Sequence, residues 1–318
     1  MMNYLNTYRR YACDINRINE EARSDPKALV DLTEQIYRYD LSWIAQQILS
    51  GEGHRHVIML SGPSSSGKTT TSKKLSDEFL SRGVDIKLIS MDDFYLGEEF
   101  VKRTDDGKPD FESVKALDIP LIKQTIDMLL TKGECVIPVY DFVHSMRTQK
   151  TRTLRLESDS VIIMEGIHAL NPIFSNGRSK VIKVYTSVKQ GIKNNEDYVL
   201  TNRDIRFVRR FVRDYQFRKV DPVYMLSMWN GVVDGEKKYI RPYRYTSDFT
   251  INSIHIYEPC VMREYALPIL NAIPQSHPLY NYVSRIAESL NRFEKIDSSL
   301  VPENSLIREF IGGGCYKY

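Results

Sequence analysis

The segment Gly62-Pro-Ser-Ser-Ser-Gly67-Lys68-Thr69-Thr70 follows an apolar run, His56-Val-Ile-Met-Leu-Ser61, and opens a stretch of helical composition. Strand, glycine-bounded loop and helix in that order make the phosphate-binding pattern Gly-x-x-x-x-Gly-Lys-Thr in the context it requires. Each residue type has a physical reason. Glycines let backbone N–H groups approach phosphate oxygens, the Lys68 ammonium reaches the β and γ oxygens, and Thr69 offers a hydroxyl to Mg²⁺. A Ser/Gly-rich turn that only caps a helix needs neither the lysine nor the preceding strand. The chain is therefore expected to bind a nucleoside triphosphate through Gly62, Ser64, Ser65, Ser66, Gly67, Lys68, Thr69 and Thr70.

At 318 residues with 42% hydrophobic content, the chain can bury a large core. Its 44 basic and 41 acidic side chains leave a formal charge of +3, so the overall field does not point to nucleic acid or membrane as the main partner. Cys13, Cys135, Cys260 and Cys315 are far apart with no C-x-x-C spacing, which argues against zinc and fits reduced thiols. No apolar run approaches the roughly 18 residues of a membrane span, and the start Met1-Met-Asn-Tyr-Leu has no signal-peptide core. A cytoplasmic location is expected, and a homo-oligomer is compatible with this reading.

Residues 1–50 read as helical, with Asp25 and Pro26 as N-cap and first helical residue and Leu29, Leu32, Ile36, Trp43, Ile44 and Ile48 at near-helical spacing. Gly51-Glu-Gly53 ends this stretch. Strands are predicted at 56–61, 85–90, 160–165, 180–186 and 248–254, with a weaker signal at 135–140. Helices are predicted at 67–82, 201–217, 257–271 and 279–293, and 230–247 reads as a polar, Gly- and Tyr-rich region. Strand, helix, strand implies a parallel sheet.

Ser90-Met91-Asp92-Asp93-Phe94-Tyr95 comes directly after the second strand, where a carboxylate lies beside the phosphate loop. Asp92 is placed to accept a proton from an attacking hydroxyl, or to hold Mg²⁺ through water. Val161-Ile-Ile-Met-Glu165-Gly166 is a buried strand ending in an acid, and Glu165 is expected in the magnesium shell. In Arg203–Arg218, helical geometry puts Arg206, Arg209, Arg210 and Arg213 on one face and Val208, Phe211, Val212 and Tyr215 on the other. Such an array suits phosphate oxygens, and a mobile helix bearing it could close over a transferring phosphoryl group. A solvated charged face and RNA binding are the competing readings. Tyr140-Asp-Phe-Val-His144-Ser-Met-Arg147 suits a small polar ring ligand but signals little alone. His54, His168, His255 and His277 lack metal spacing and read as surface or satisfied structural residues.

Together these segments resemble the uridine kinase and phosphoribulokinase family of P-loop kinases, in matching order from Gly62 to Arg218. The resemblance implies an α/β P-loop NTPase fold: a doubly wound, mainly parallel sheet flanked by helices, with an arginine-rich helical lid and a helical N-terminal extension. It also implies ATP and Mg²⁺ as cofactors and Asp92 as base toward a sugar 5′-hydroxyl. By the same likeness Lys68, Arg213 and Arg218 contact phosphates, and Arg210 and Tyr140 face the nucleoside. Three positions depart from uridine kinases. Glu112 stands where they usually carry an aspartate for the ribose hydroxyls, their pocket histidine falls at Ser145 with His144 one residue early, and Val220 replaces an arginine. Glu112, Tyr140, His144 and Arg210 are therefore the expected acceptor-binding residues, with the base specificity open.

The stretch Met228–Pro242 and the ending Ser305-Leu-Ile-Arg-Glu-Phe-Ile-Gly-Gly-Gly314 resemble instead the kinase half of longer bacterial proteins, in which a threonyl-tRNA-synthetase-like module comes first. Residues 1–50 resemble only their helical connector, so a short relative or a fragment is expected. The expected division is 1–53 as helical extension, 54–275 as kinase core with a lid at 201–220, and 276–318 as a helical tail packed on the core. The leading functional expectation is an ATP-dependent nucleoside kinase, uridine or cytidine first. A kinase for a purine nucleoside or sugar phosphate, and a non-catalytic nucleotide-sensing or RNA-associated module, are the alternatives.

Overall fold

The computed structural model describes residues 12–50, 57–104, 107, 109–141, 144, 146–157, 160–175, 177 and 181–317. The helix expected before residue 12, the break at 51–53, His54 and Ser145 lie outside them. The central sheet is parallel and ordered β2-β5-β1-β6-β9, built from β1 (Val57–Ser61), β2 (Ile86–Ser90), β5 (Val161–Glu165), β6 (Val181–Ser187) and β9 (Phe249–Asn252). Between β2 and β5 the chain forms a separate antiparallel hairpin, β3 (Glu134–Asp141) and β4 (Met146–Arg155). A second hairpin, β7 (Ile192–Asn194) and β8 (Asp197–Leu200), follows β6.

Strand side chains alternate between two faces, and both faces are covered, which is why these strands read as continuous apolar runs. Val57, Met59, Ile162 and Met164 turn to one core, joined by residues of helix α4 (Ile119–Lys132). Ile58, Leu60, Ile163, Val184 and Ile251 turn to the other. That larger core takes in α1 (Ile15–Ser24), α2 (Pro26–Leu49), α3 (Lys68–Leu80), α5 (Asn202–Arg218), α6 (Pro222–Gly235), α7 (Glu258–Asn271), α8 (Tyr280–Asn291) and the single turn α9 (Arg308–Ile311). The register sets Glu165 beside both Leu60 and Ser90, so the carboxyl ends of β1, β2 and β5 meet at one edge.

The helix expected over 1–50 is two helices in the described part. They break at Asp25, whose carboxylate accepts from Ala28 N–H at 2.9 Å and caps α2 ahead of Pro26. The predicted strand at 135–140 forms but leaves the main sheet, because its partner is β4, a polar and largely exposed strand with no hydrophobic alternation to announce it. Helix α4 was not among the predicted helices, although Ile122, Ile126 and Leu129 lie buried at helical spacing behind the Asp118 cap. Helix α6 replaces part of the expected irregular region at 230–247. Gly231 and Gly235 weaken its local preference, and packing of Trp229 against Phe207 at 5.2 Å between rings compensates.

Helix α5 departs most from its expected form. Its start is fixed by a capping box between Thr201 and Asp204, and Asp204 also accepts from Tyr282 at 3.0 Å and Arg285 at 2.8 Å. Val208, Phe211 and Val212 are buried as expected and Phe207 with them, whereas Tyr215 is exposed. The four arginines do not form one cationic face. Arg206 pairs with Glu236 at 2.6 Å, and Arg209, fully buried, pairs with Glu258 at 2.7 Å. Both acids come from segments C-terminal to the helix, and a buried guanidinium requires such a partner.

Removing one partner of a buried pair leaves an uncompensated charge. Glu258→Ala is expected to destabilise the fold by about 3–5 kcal/mol, and Arg209→Met combined with Glu258→Leu by clearly less. Urea unfolding of the two variants checks this; equal losses would count against it.

Candidate active site

Three chain segments that follow parallel strands build the site. After β1, the phosphate loop turns through Ser65 at φ 57° and Gly67 at φ 82°. Backbone in this alternating conformation gathers N–H groups into an anion-binding concavity at the start of α3. Gly67 has a second reason to be glycine, since a Cβ there would lie 2.5 Å from Leu306. At the loop's other end, a Cβ on Gly62 would fall 2.1 Å from the Thr186 carbonyl oxygen. Ser66 is buried inside the turn, its N–H donating to the Pro63 carbonyl at 3.1 Å.

After β2 a short 3₁₀ turn separates the two aspartates. Asp93 is drawn toward the hairpin, accepting from Tyr140 N–H at 3.4 Å and facing Arg152 at 3.8 Å. Asp92 instead lines a cavity of about 240 Å³ together with Ser64, Ser65, Gly67, Lys68 and Thr69. Burial raises its carboxyl above the ordinary aspartate range, while Lys68, Arg218 and Arg213 pull it back down.

At the end of β5, Glu165 is buried and its Oε1 accepts from Ser90 at 2.9 Å and from the Thr69 hydroxyl at 3.4 Å. Its Oε2 is buried without a hydrogen-bond partner among the described residues. Burial and the nearby Asp92 push Glu165 up to about 7. An oxygen short of a partner, next to the loop hydroxyl, fits Mg²⁺, an oxygen-seeking ion that takes one or two protein ligands plus phosphate and water. Among the described residues no group of three His, Cys, Asp or Glu could hold a metal unaided.

Helix α5 contributes the arginines that line the cavity. Arg210 donates to Ser64 Oγ at 2.6 Å, which ties it to the phosphate loop. Arg213 and Arg218 also line the cavity, both within reach of Asp214, at 2.8 Å and 3.4 Å. Tyr95, Phe111, Tyr140, Ile167 and Glu112 complete the wall of the cavity. Tyr95 lies 5.9 Å from Phe111 and 5.8 Å from Tyr140 between ring centroids. Glu112 is pressed against Gly235 at the end of α6, where a Cβ would meet Glu112 Cβ at 2.4 Å.

The structure thus brings Ser64, Ser65, Gly67, Lys68, Thr69, Asp92, Glu112, Tyr140, Arg210, Arg213 and Arg218 to one cavity, with Glu165 at its rear. It does not bring His144 there. That side chain is exposed, its Nδ1 2.8 Å from Asp141 Oδ2. Thr70 turns to Glu309, its hydroxyl donating at 2.5 Å. Sequence reading missed Tyr95 and Phe111 as wall residues, although Tyr95 ends the stretch after β2 and Phe111 adjoins Glu112. Glu309 left no local signal. Of the two roles expected for the histidines, surface or structural, His168 and His255 take a buried one, and burial holds both at about 4, so they are neutral.

A phosphate loop, a strand-end acid, a second acid behind it and converging arginines are the parts of a P-loop kinase. The model of the phosphoribulokinase / uridine kinase family matches residues 57–257, more than half of the chain, and the chain belongs to that family. It is a kinase of small molecules, transferring a phosphoryl group to an alcohol acceptor. A uridine kinase of Lactobacillus johnsonii is 29% identical over 191 residues, covering 58% of this chain and 82% of that one. One of Limosilactobacillus reuteri is 30% identical over 192 residues, covering 58% and 79%. Among solved structures, the one described as a possible uridine kinase from Bacillus stearothermophilus matches with TM-score 0.43 and 19% identity over 67% of this chain and 98% of that one. Phosphoribulokinase from Rhodobacter spheroides matches with TM-score 0.41 and 16% identity, over 62% and 69%. No helix among the described residues is long and apolar enough to cross a membrane.

Burial pushes Glu112 up to about 7, with Arg210 and Lys68 acting against it. As pH falls through that value Glu112 takes up a proton and loses an acceptor site for substrate hydroxyls. KM for the acceptor is expected to rise over the same interval, and Glu112→Gln to flatten the dependence. Steady-state kinetics across pH checks this; a wild-type KM independent of pH would count against Glu112 as a hydroxyl ligand.

Proposed function

We propose that the chain is an ATP- and Mg²⁺-dependent nucleoside kinase that phosphorylates the 5′-hydroxyl of a nucleoside, uridine or cytidine first. The carrying observation is that Asp92 shares one cavity with Lys68, the α5 arginines and an aromatic wall. A carboxylate there sits between the anion-binding loop and a space that suits a flat polar ring.

In this reading the phosphate loop and Lys68 hold the triphosphate, and Tyr140, Tyr95 and Phe111 orient the acceptor. Glu112 accepts from its sugar hydroxyls. Asp92 accepts the proton of the 5′-hydroxyl as its oxygen forms the bond to the γ-phosphorus; the bond from that phosphorus to the β–γ bridging oxygen breaks, and ADP leaves. Lys68, Arg213 and Arg218 lie around the region where charge develops on the transferring group, and such fixed cations lower the barrier more than they tighten substrate binding. Mg²⁺, bound through Thr69 and Glu165, would supply charge neutralisation on the phosphate chain.

Glu112 in place of an aspartate, with His144 turned to solvent, favours asking which acceptor fits before assuming a pyrimidine. A pocket that hydrogen-bonds one base edge rejects analogues by orders of magnitude. ADP release over a panel of pyrimidine and purine nucleosides and phosphosugars is expected to be fastest with uridine or cytidine. A different best acceptor would replace the substrate class; no stimulation by any, with salt-sensitive RNA binding, would replace the enzymatic reading. Asp92→Asn is expected to lower kcat by about 10²–10⁴ with little change in ATP affinity. Near-normal turnover in that variant would remove Asp92 from the role of base.

A further inference from the structure

The chain beyond the family match returns to the phosphate loop. Arg308 anchors it, donating to the carbonyls of Ser298 at 2.9 Å, Val301 at 2.6 Å and Gly312 at 3.1 Å. Leu306, Ile307 and Phe310 are fully buried, Leu306 against Gly67 and Phe310 with its ring 5.3 Å from the Arg209 guanidinium. Lys74 of α3 donates to the Asn304 carbonyl at 2.7 Å. The segment is therefore packed into both α3 and α5.

That packing delivers one carboxylate. Glu309 is 7% exposed and lines the cavity. Its Oε2 accepts from the Thr70 hydroxyl at 2.5 Å and stands 3.4 Å from the Thr70 N–H, on the first turn of α3. Its Oε1 lies 3.9 Å from Nη1 of Arg213, whose Nε and Nη2 are each 2.8 Å from Asp214. Arg213 is thus held between two carboxylates, one on its own helix and one from the C-terminal segment. Burial acts to lower its pKa, and Asp214 and Glu309 outweigh that and raise it.

We propose that Glu309 is a positioning residue: it bridges Thr70 of the phosphate loop to Arg213 of α5 and so sets the Arg213 guanidinium over the transferring phosphate. This rests on the reading of Arg213 as a phosphate contact. A guanidinium tethered only to Asp214 would follow its own helix, whereas the second tether references it to the loop that holds the nucleotide. Misplacing a catalytic group by about 1 Å can cost up to about 10²-fold in rate, so the bridge acts on turnover more than on binding.

Glu309→Gln preserves an oxygen for the Thr70 hydroxyl and removes the charge facing Arg213. It is expected to lower kcat about tenfold or more with KM for ATP within about twofold of wild type, melting temperature serving as the folding control. Glu309→Asp, which keeps the charge, is expected to retain more turnover than Glu309→Gln. Arg213→Ala is expected to lose turnover, and adding Glu309→Gln to it to cost no more than about twofold further, since groups acting through one another are not additive. Three results would overturn the bridge: unchanged kcat in Glu309→Gln, multiplicative losses in the double variant, or a lowered KM for ATP. The last would mean that the carboxylate competes with phosphate for the loop. Full turnover in Arg213→Ala would sink the reading of Arg213 itself and the bridge with it, whereas a defective Arg213→Ala beside a normal Glu309→Gln would sink the bridge alone.

Discussion

A carboxylate taken out of water must meet a cation or give up its charge, and the candidate site is arranged around that constraint. Asp92, Glu112 and Glu309 share a cavity with Lys68, Arg210, Arg213 and Arg218, with Glu165 behind them. Burial raises Asp92, Glu112 and Glu165, and the neighbouring cations act against that rise. Glu112 and Glu165 are pushed up to about 7 because burial outweighs the pull of the nearby cations, with Asp92 adding to the rise of Glu165. A triphosphate and its magnesium would enter a site whose charges are already opposed at close range, which suits electrostatic stabilisation of a charge that moves during reaction.

The position of the cations depends in turn on ordinary core packing. Helix α5 is seated by Phe207, Val208, Phe211 and Val212, capped at Thr201 and locked by Arg209 on Glu258. Arginines three or four residues apart on one helix consequently have different tasks. Arg209 is inside the core, Arg206 is held by Glu236, Arg210 reaches Ser64, and Arg213 and Arg218 reach the cavity. Helical spacing puts side chains on one face; what that face meets is decided by the neighbouring segments.

How much was legible from sequence follows the same division. The phosphate loop, Asp92 and Glu165 could be read because each belongs to a short contiguous pattern whose chemistry is local: a strand end, a glycine-bounded turn, an acid after an apolar run. Most strands of the parallel sheet could be read because burial on both faces leaves an uninterrupted apolar signature. His144 was expected as an acceptor-binding residue; its side chain is exposed and held against Asp141, which residue type alone does not announce. Strand β4 and helix α6 left weak signals because one is polar and exposed and the other carries two glycines. Glu309 left none. Its partner Thr70 lies 239 residues away, and nothing in a stretch of Arg-Glu-Phe marks a carboxylate that will meet a phosphate loop.

By itself, then, the chain's order of residues determined the fold class, the glycine-bounded loop after the first strand and the acid beside it, because backbone geometry and burial periodicity are written within a few residues of each other. Only the tertiary structure decided which arginines line the cavity, where Glu112 rests against Gly235, and that the C-terminal segment meets the site at Thr70 and Arg213. The physical reason is that a charged side chain's role is set by what compensates it, and the compensating groups here come from elements far apart in the sequence.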